Sequence, residues 1–318
     1  MTDSWAIGID LGGTKIEGAL IGSDGSLQHR IHYPTDVQGG AEAIIKQIIL
    51  IVGEIQQNTG APIKGIGIGI AGQIDNSSQL VRFAPNLKWR NLPLIEKLAP
   101  LIKKPIYMDN DVRVAARGEK NFGAGRACTN FICLYLGTGI GGGIVLNNAL
   151  ITGSNHTAGE FGHLTVQMNG PLCTCGNHGC LEAFSSGWAI AKNARDKNIH
   201  QNPDSPLFKQ ETLTAALVFQ AANQRDPLAL QIIGDAIEAL TAGLISIVNA
   251  WNPQRLILGG GLLKGYAPYL AEIERGVRQR ALPSACETLE LLTSGCQGNG
   301  ALLGAGVLVF ESIHDKKC

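Results

Sequence analysis

A chain of 318 residues with 26 Lys plus Arg against 26 Asp plus Glu carries no formal net charge, which excludes the basic stripe of a nucleic-acid binder. Its length predicts two domains, its 45% of hydrophobic residues supplies two cores, and the start MTDSWAIGIDLGG lacks the features of a signal peptide. No stretch approaches about 18 consecutive apolar residues, so the composition predicts no membrane span and a cytoplasmic protein.

In chain order, residues 5–11 (WAIGIDL) predict a buried strand, Gly12-Gly13 a turn, and Ile16–Ile21 the returning strand, with Asp24-Gly25 as a hairpin turn. Residues 41–58 have helical spacing and Gly60 supplies a stop. Residues 65–71 predict a strand ending at Gly72, and Lys104–Met108 a short strand, after which Asp109-Asn110-Asp111 opens a helix running towards Lys120. The second half begins alike, with FICLYL at 131–136, a turn at Gly137-Thr138-Gly139, and a return strand at 143–146. Setting LGGTKIEGAL (11–20) over LGTGIGGGIV (136–145) predicts one strand–turn–strand unit used twice, hence a duplicated α/β lobe. Ile232–Ala250 predicts a long buried helix, and Arg255–Leu258 a strand ending in Gly259-Gly260-Gly261.

The first turn, Asp10-Leu11-Gly12-Gly13-Thr14-Lys15, has glycines that let backbone amides converge on an anion; Thr14 adds a hydroxyl and Lys15 a charge. Asp10 is placed to hold a metal ion or its water beside phosphates. The spacing is not that of a Walker loop, and the Gly137–Gly139 turn leads into an apolar strand instead of the helix that a dinucleotide site needs. Two such turns predict a phosphate clamp, and the bare backbone of Gly259–Gly261 suits a flat purine. Asp109-Asn110-Asp111, between a strand and a helix, either caps the helix or provides a base; the residues leave both open.

Of eight cysteines, Cys173, Cys175 and Cys180 fall within eight residues, and with His163 they predict a closed tetrahedral zinc site, His178 being the rival fourth ligand. The site has no open position for water, so the metal is structural. Glu160 and Glu182 flank it, and carboxylates accept hydrogen bonds from vicinal sugar hydroxyls. The other cysteines are scattered, with Cys318 at the terminus.

DLGGTK at 10–15, NDxxxxxxGE at 110–119, LGTGIGGG at 136–143, GEFGH at 159–163 and CTCGNHGCLE at 173–182 together resemble the ROK family of sugar kinases and sugar-responsive repressors, most of all its ATP-dependent glucokinases. The resemblance implies an α/β, actin/hexokinase-like (ribonuclease H-like) fold of duplicated lobes about an interlobe cleft. The lobes expected are residues 1–112, completed by a C-terminal helix at about 299–318, and 113–298, which carries the zinc knuckle. It implies Asp111 as base for the sugar 6-hydroxyl, with Gly72, Asn86, Asn110, Glu160, His163 and Glu182 around the sugar. The turns at 12–15, 137–139 and 259–261 would hold ATP, with Mg²⁺ on its phosphates and Zn²⁺ as a brace, in a homodimer. Glucose is the expected hexose, with N-acetylglucosamine, N-acetylmannosamine and fructose as alternatives. Family repressors carry an N-terminal helix-turn-helix; here DLGGT begins at residue 10, which favours a kinase over a repressor or a non-catalytic sugar sensor. Arg113 stands where the family often has Asn, which predicts an altered lip to the pocket.

Overall fold

The computed structural model describes residues 4–201 and 212–315; Cys318 lies outside them. The described residues form two compact units, the first of residues 4–131, 143–158 and 294–315, the second of residues 132–142, 159–201 and 212–293.

In the first unit, Trp5–Leu11 (β1) turns at Gly12-Gly13 into Lys15–Gly22 (β2), which pairs antiparallel with Leu27–Pro34 (β3). Ile63–Ile70 (β4) joins β1 in parallel. Gln73–Asp75 (β5), Leu80–Ala84 (β6) and Trp89–Leu92 (β7) form a small separate sheet, and Ile106–Asn110 (β8) pairs parallel with β4. The resulting order is β3-β2-β1-β4-β8. Strands β1 and β4 are almost continuously apolar because both their faces are covered, whereas the edge strand β3, LQHRIHYP, is largely exposed. Helix Gly40–Gln57 buries Ile44, Ile48, Ile51 and Ile55, a stripe at helical spacing, in the core shared with β1 and β4. It ends at Asn58, before the expected stop at Gly60. Helices Asp111–Phe122 and Gly300–Asp315 pack together, and the latter lies along β1 and β4.

Arg113 is not at a pocket lip. It is 2% exposed, and its Nε donates to Oδ1 of the fully buried Asp109 at 2.7 Å while Nη1 donates to the His156 carbonyl. Position 113 lies four residues beyond Asp109, so the helix aims the guanidinium back at the end of β8. Truncating one partner of a buried pair strands the other charge. Arg113→Met should therefore cost about 3–5 kcal/mol, at the lower end because Arg117 Nη2 stands 3.7 Å from Asp109 Oδ2. Chemical denaturation measures it, and the double variant with Asp109→Asn should recover most of the loss.

In the second sheet, Phe131–Leu136 (β9), Ile140–Leu146 (β10), Ala149–Ile151 (β11), Arg255–Gly259 (β12) and Glu290–Thr293 (β13) stand in the order β11-β10-β9-β12-β13. That repeats the order of the first sheet, with an antiparallel outer pair at one side and a parallel pair at the other. The return strand starts at Ile140, earlier than its glycines suggest, and the division between the units falls within it, after Gly142. Two mixed sheets of one order, each opened by a strand–turn–strand unit, are the actin/hexokinase-like α/β fold.

Helix Pro227–Trp251 of the second unit is long and apolar enough to cross a membrane, with a mean hydropathy of 1.6 over its most apolar window, but 61% of that window is buried. Its composition follows from packing against helices Gly187–Gln201, Ala215–Asn223 and Leu270–Arg280. Asp226 caps its start, accepting from Ala229 N at 2.8 Å.

Candidate functional site

In the first unit the predicted residues gather at the carboxyl ends of β1, β4 and β8, where open α/β sheets bind ligands. Gly12 N donates to Lys15 O at 3.0 Å, and Thr35 ties back the turn's carbonyls, its Oγ1 donating to Gly12 O and its N to Thr14 O. Asn86, exposed on the short turn Pro85–Leu87, lies against Gly13: a Cβ on that glycine would stand 2.6 Å from the Asn86 Cβ. Asn110 is the N-cap of helix Asp111–Phe122, its Oδ1 accepting from Val112 N at 3.0 Å and Arg113 N at 3.1 Å. The other end of that amide donates to Gly72 O at 3.0 Å and to Asp111 Oδ1 at 2.9 Å. The helix is thus capped by Asn110, the amide between the two carboxylates, and the same amide holds Asp111.

Asp10 is the last residue but one of β1, opposite Glu17 in the register. Burial, then the charge of Asp111, pushes its carboxyl up to about 7, against the opposing pull of Lys15. Lys15 Nζ stands 2.6 Å from Glu17 Oε2, two residues along the same strand face, and Arg30 from β3 reaches the other oxygen. Glu17 and Arg30 are absent from the sequence reading; the i,i+2 spacing of Lys15 and Glu17 on a strand was the available signal.

The second unit holds the other predicted residues. Gly137–Gly139 forms a closed turn, with Gly137 N donating to Gly139 O at 2.9 Å. Gly260, after β12, has φ +92° and packs so closely on Leu136 that a Cβ would meet its carbonyl oxygen at 2.2 Å; Gly259 is buried, Gly261 exposed. The ligand atoms of His163, Cys173, Cys175 and Cys180 all lie within 4.8 Å of one another. Cys173 Sγ is 3.6 Å from His163 Nδ1, and Cys175 and Cys180 sulfurs are 3.7 Å apart, spacings that suit the edges of a tetrahedron about one ion. His178 lies outside this group, its Nδ1 3.1 Å from Gly170 O. The His163 ring faces two ways: Nδ1 to the sulfurs, Nε2 to Glu160 at 3.9 Å. Glu160 is exposed, whereas Glu182 is only 8% exposed and hydrogen-bonded within the unit. Burial, then its cysteine neighbours, pushes the Cys180 thiol up to about 12. In Cys175 the opposite happens: burial raises the thiol, but hydrogen bonds from the Asn177 backbone and the other cysteines win and lower it.

The ROK family model matches residues 6–312, and the chain belongs to the ROK family. It is 36% identical over 311 residues to a glucokinase of Thermotoga maritima, covering 96% of this chain and 98% of that one. A glucokinase of Halalkalibacterium halodurans is 34% identical over 98% of the chain and 96% of its own length. Among solved structures, a ROK family glucokinase from Streptomyces griseus in complex with glucose and AMPPNP superposes with a TM-score of 0.83 at 31% identity, covering 96% of this chain and 99% of that one.

Proposed function

We propose that this chain is an ATP-dependent glucokinase that transfers the γ-phosphate of ATP directly to the 6-hydroxyl of glucose. The observation that carries the reading is the junction at the end of β8: one amide, Asn110, both caps the following helix and holds the Asp111 carboxylate. Phosphoryl transfer asks a protein for alignment, charge neutralisation and an acceptor for the hydroxyl proton. Asp111 accepts that proton. Asn86, Asn110 and the Gly72 turn, with Glu160, His163 and Glu182, bind the remaining hydroxyls, as the family pattern assigns them. The turns at 12–15, 137–139 and 259–261 hold the nucleotide.

The residues present fit two ions. Asp10 and Asp111 form a like-charged pair with Lys15 and Arg30 already engaged by Glu17, a setting suited to a divalent cation on ATP phosphates. Mg²⁺ held by Asp10 would neutralise phosphate charge. Three thiols and an imidazole suit Zn²⁺ with no position left for water. His163, bound through Nδ1, then keeps Nε2 for the sugar or for Glu160. That orientation is the brace's contribution; it does no chemistry.

A coupled ADP-release assay across glucose, N-acetylglucosamine, N-acetylmannosamine and fructose tests the substrate. Glucose is expected to give the highest kcat/KM; a tenfold preference for an N-acetylated sugar would contradict it.

A further inference from the structure

Glu182 follows Cys180 by two residues, and both its carboxylate oxygens are engaged. Oε2 accepts from Ile140 N at 2.7 Å. Oε1 accepts from Trp188 Nε1 at 3.1 Å and Thr174 Oγ1 at 3.4 Å. Ile140 is the residue that leaves the Gly137–Gly139 turn, and Thr174 stands between two cysteines of the cluster. The carboxylate therefore bolts the cysteine cluster to the glycine turn. A Cβ on Gly139 would fall 2.6 Å from Glu182 Oε2, so a larger residue there would displace this carboxylate.

The rest of the turn is fixed from the same side. Gly187 N donates to Gly137 O at 2.9 Å and Trp188 N to Thr138 O at 3.2 Å. These two amides open helix Gly187–Gln201, where backbone N–H groups lack partners within the helix. In a trans peptide the N–H points opposite the C=O. Tying down the carbonyls of residues 137 and 138 thus turns the amides of Thr138 and Gly139 away from the helix, side by side, as an anion nest requires. The Ile140 amide is withheld from the nest by Glu182. Because Trp188 supplies both a backbone donor to the turn and its indole N–H to the carboxylate, turn, helix start and Glu182 form one connected network.

We propose that Glu182 is a positioning residue for the phosphate donor: through Ile140 and Trp188 it transmits the geometry of the cysteine cluster to the Gly137–Gly139 turn. The cluster then sets affinity for the nucleotide as well as the shape of the sugar side. This rests on the reading of that turn as a nucleotide phosphate site.

The test uses the full chain and two substitutions, Glu182→Gln and Trp188→Phe, the second removing the indole donor while keeping an aromatic ring against Cys173, Cys180 and Ala183. Calorimetry without sugar measures the Kd of a Mg²⁺-bound non-hydrolysable ATP analogue, and elemental analysis measures bound metal. Glu182→Gln is expected to weaken nucleotide binding tenfold or more. Trp188→Phe should weaken it threefold or more at full metal content. Nucleotide Kd values within twofold of the wild type in both variants overturn the proposal. If Glu182→Gln also loses metal, Trp188→Phe decides on the same criterion. A wild-type protein that binds no nucleotide fails the kinase reading itself and takes this role of Glu182 with it.

Discussion

Asp111→Ala is expected to lower kcat for glucose by about a thousandfold, within the 10²–10⁴ that a positioned general base contributes, with the glucose Kd within a few-fold of the wild type. The split follows from the geometry. Asn110, whose amide is anchored at one end by Gly72 O and at the other by two helix amides, stays in place without its neighbour. Helix Asp111–Phe122 keeps its cap, so the fold is retained. What disappears is the acceptor for the hydroxyl proton. Steady-state kinetics paired with sugar calorimetry separates the two quantities. More than a tenth of wild-type kcat in the variant would remove Asp111 from the role of base.

Cys175→Ser is expected to abolish stoichiometric metal and then activity, by tenfold or more, with a lowered midpoint of thermal unfolding. Cys173 and Cys180 are buried, and a thiol as reluctant to ionise as Cys180 becomes a thiolate only when an ion compensates its charge. Metal binding should accordingly release protons and weaken as pH falls, because protons compete for the same sulfurs. Cys175 is the exposed member, so the serine variant leaves the buried packing of Cys173, Cys180 and Ala183 intact. The damage then reports on the ion itself. Elemental analysis, thermal unfolding and the coupled assay on one preparation test this; full activity in metal-free protein would break the link between knuckle and catalysis.

Much of this was legible in the sequence because it is local. The strands β1, β4 and β9 announce themselves as apolar runs closed by glycine, and the cysteine spacing brings the three thiols together within one short hairpin. The two predicted glycine turns are both present, at corresponding places in sheets of the same order. What the sequence hid depends on tertiary pairing. Arg113 looked like a surface departure from the family pattern because nothing local says that Asp109, four residues earlier, is fully buried and needs a cation. Lys15 looked committed to phosphate, yet Glu17 holds it, and the Arg30 that completes this group arrives from a neighbouring strand. Glu182 was legible as a carboxylate beside the knuckle, but its bond to Ile140 N spans 42 residues and no local pattern encodes it. Helix Pro227–Trp251 shows the converse, an apolarity that signals burial among helices of its own unit.

The most direct measurement of the central claim is phosphorus NMR of the purified protein incubated with glucose, ATP and Mg²⁺. The account predicts glucose 6-phosphate and ADP in equal amounts, with no free phosphate, and no ADP when glucose is omitted. ADP and inorganic phosphate formed without a sugar phosphate, or no turnover of ATP at all, would contradict it.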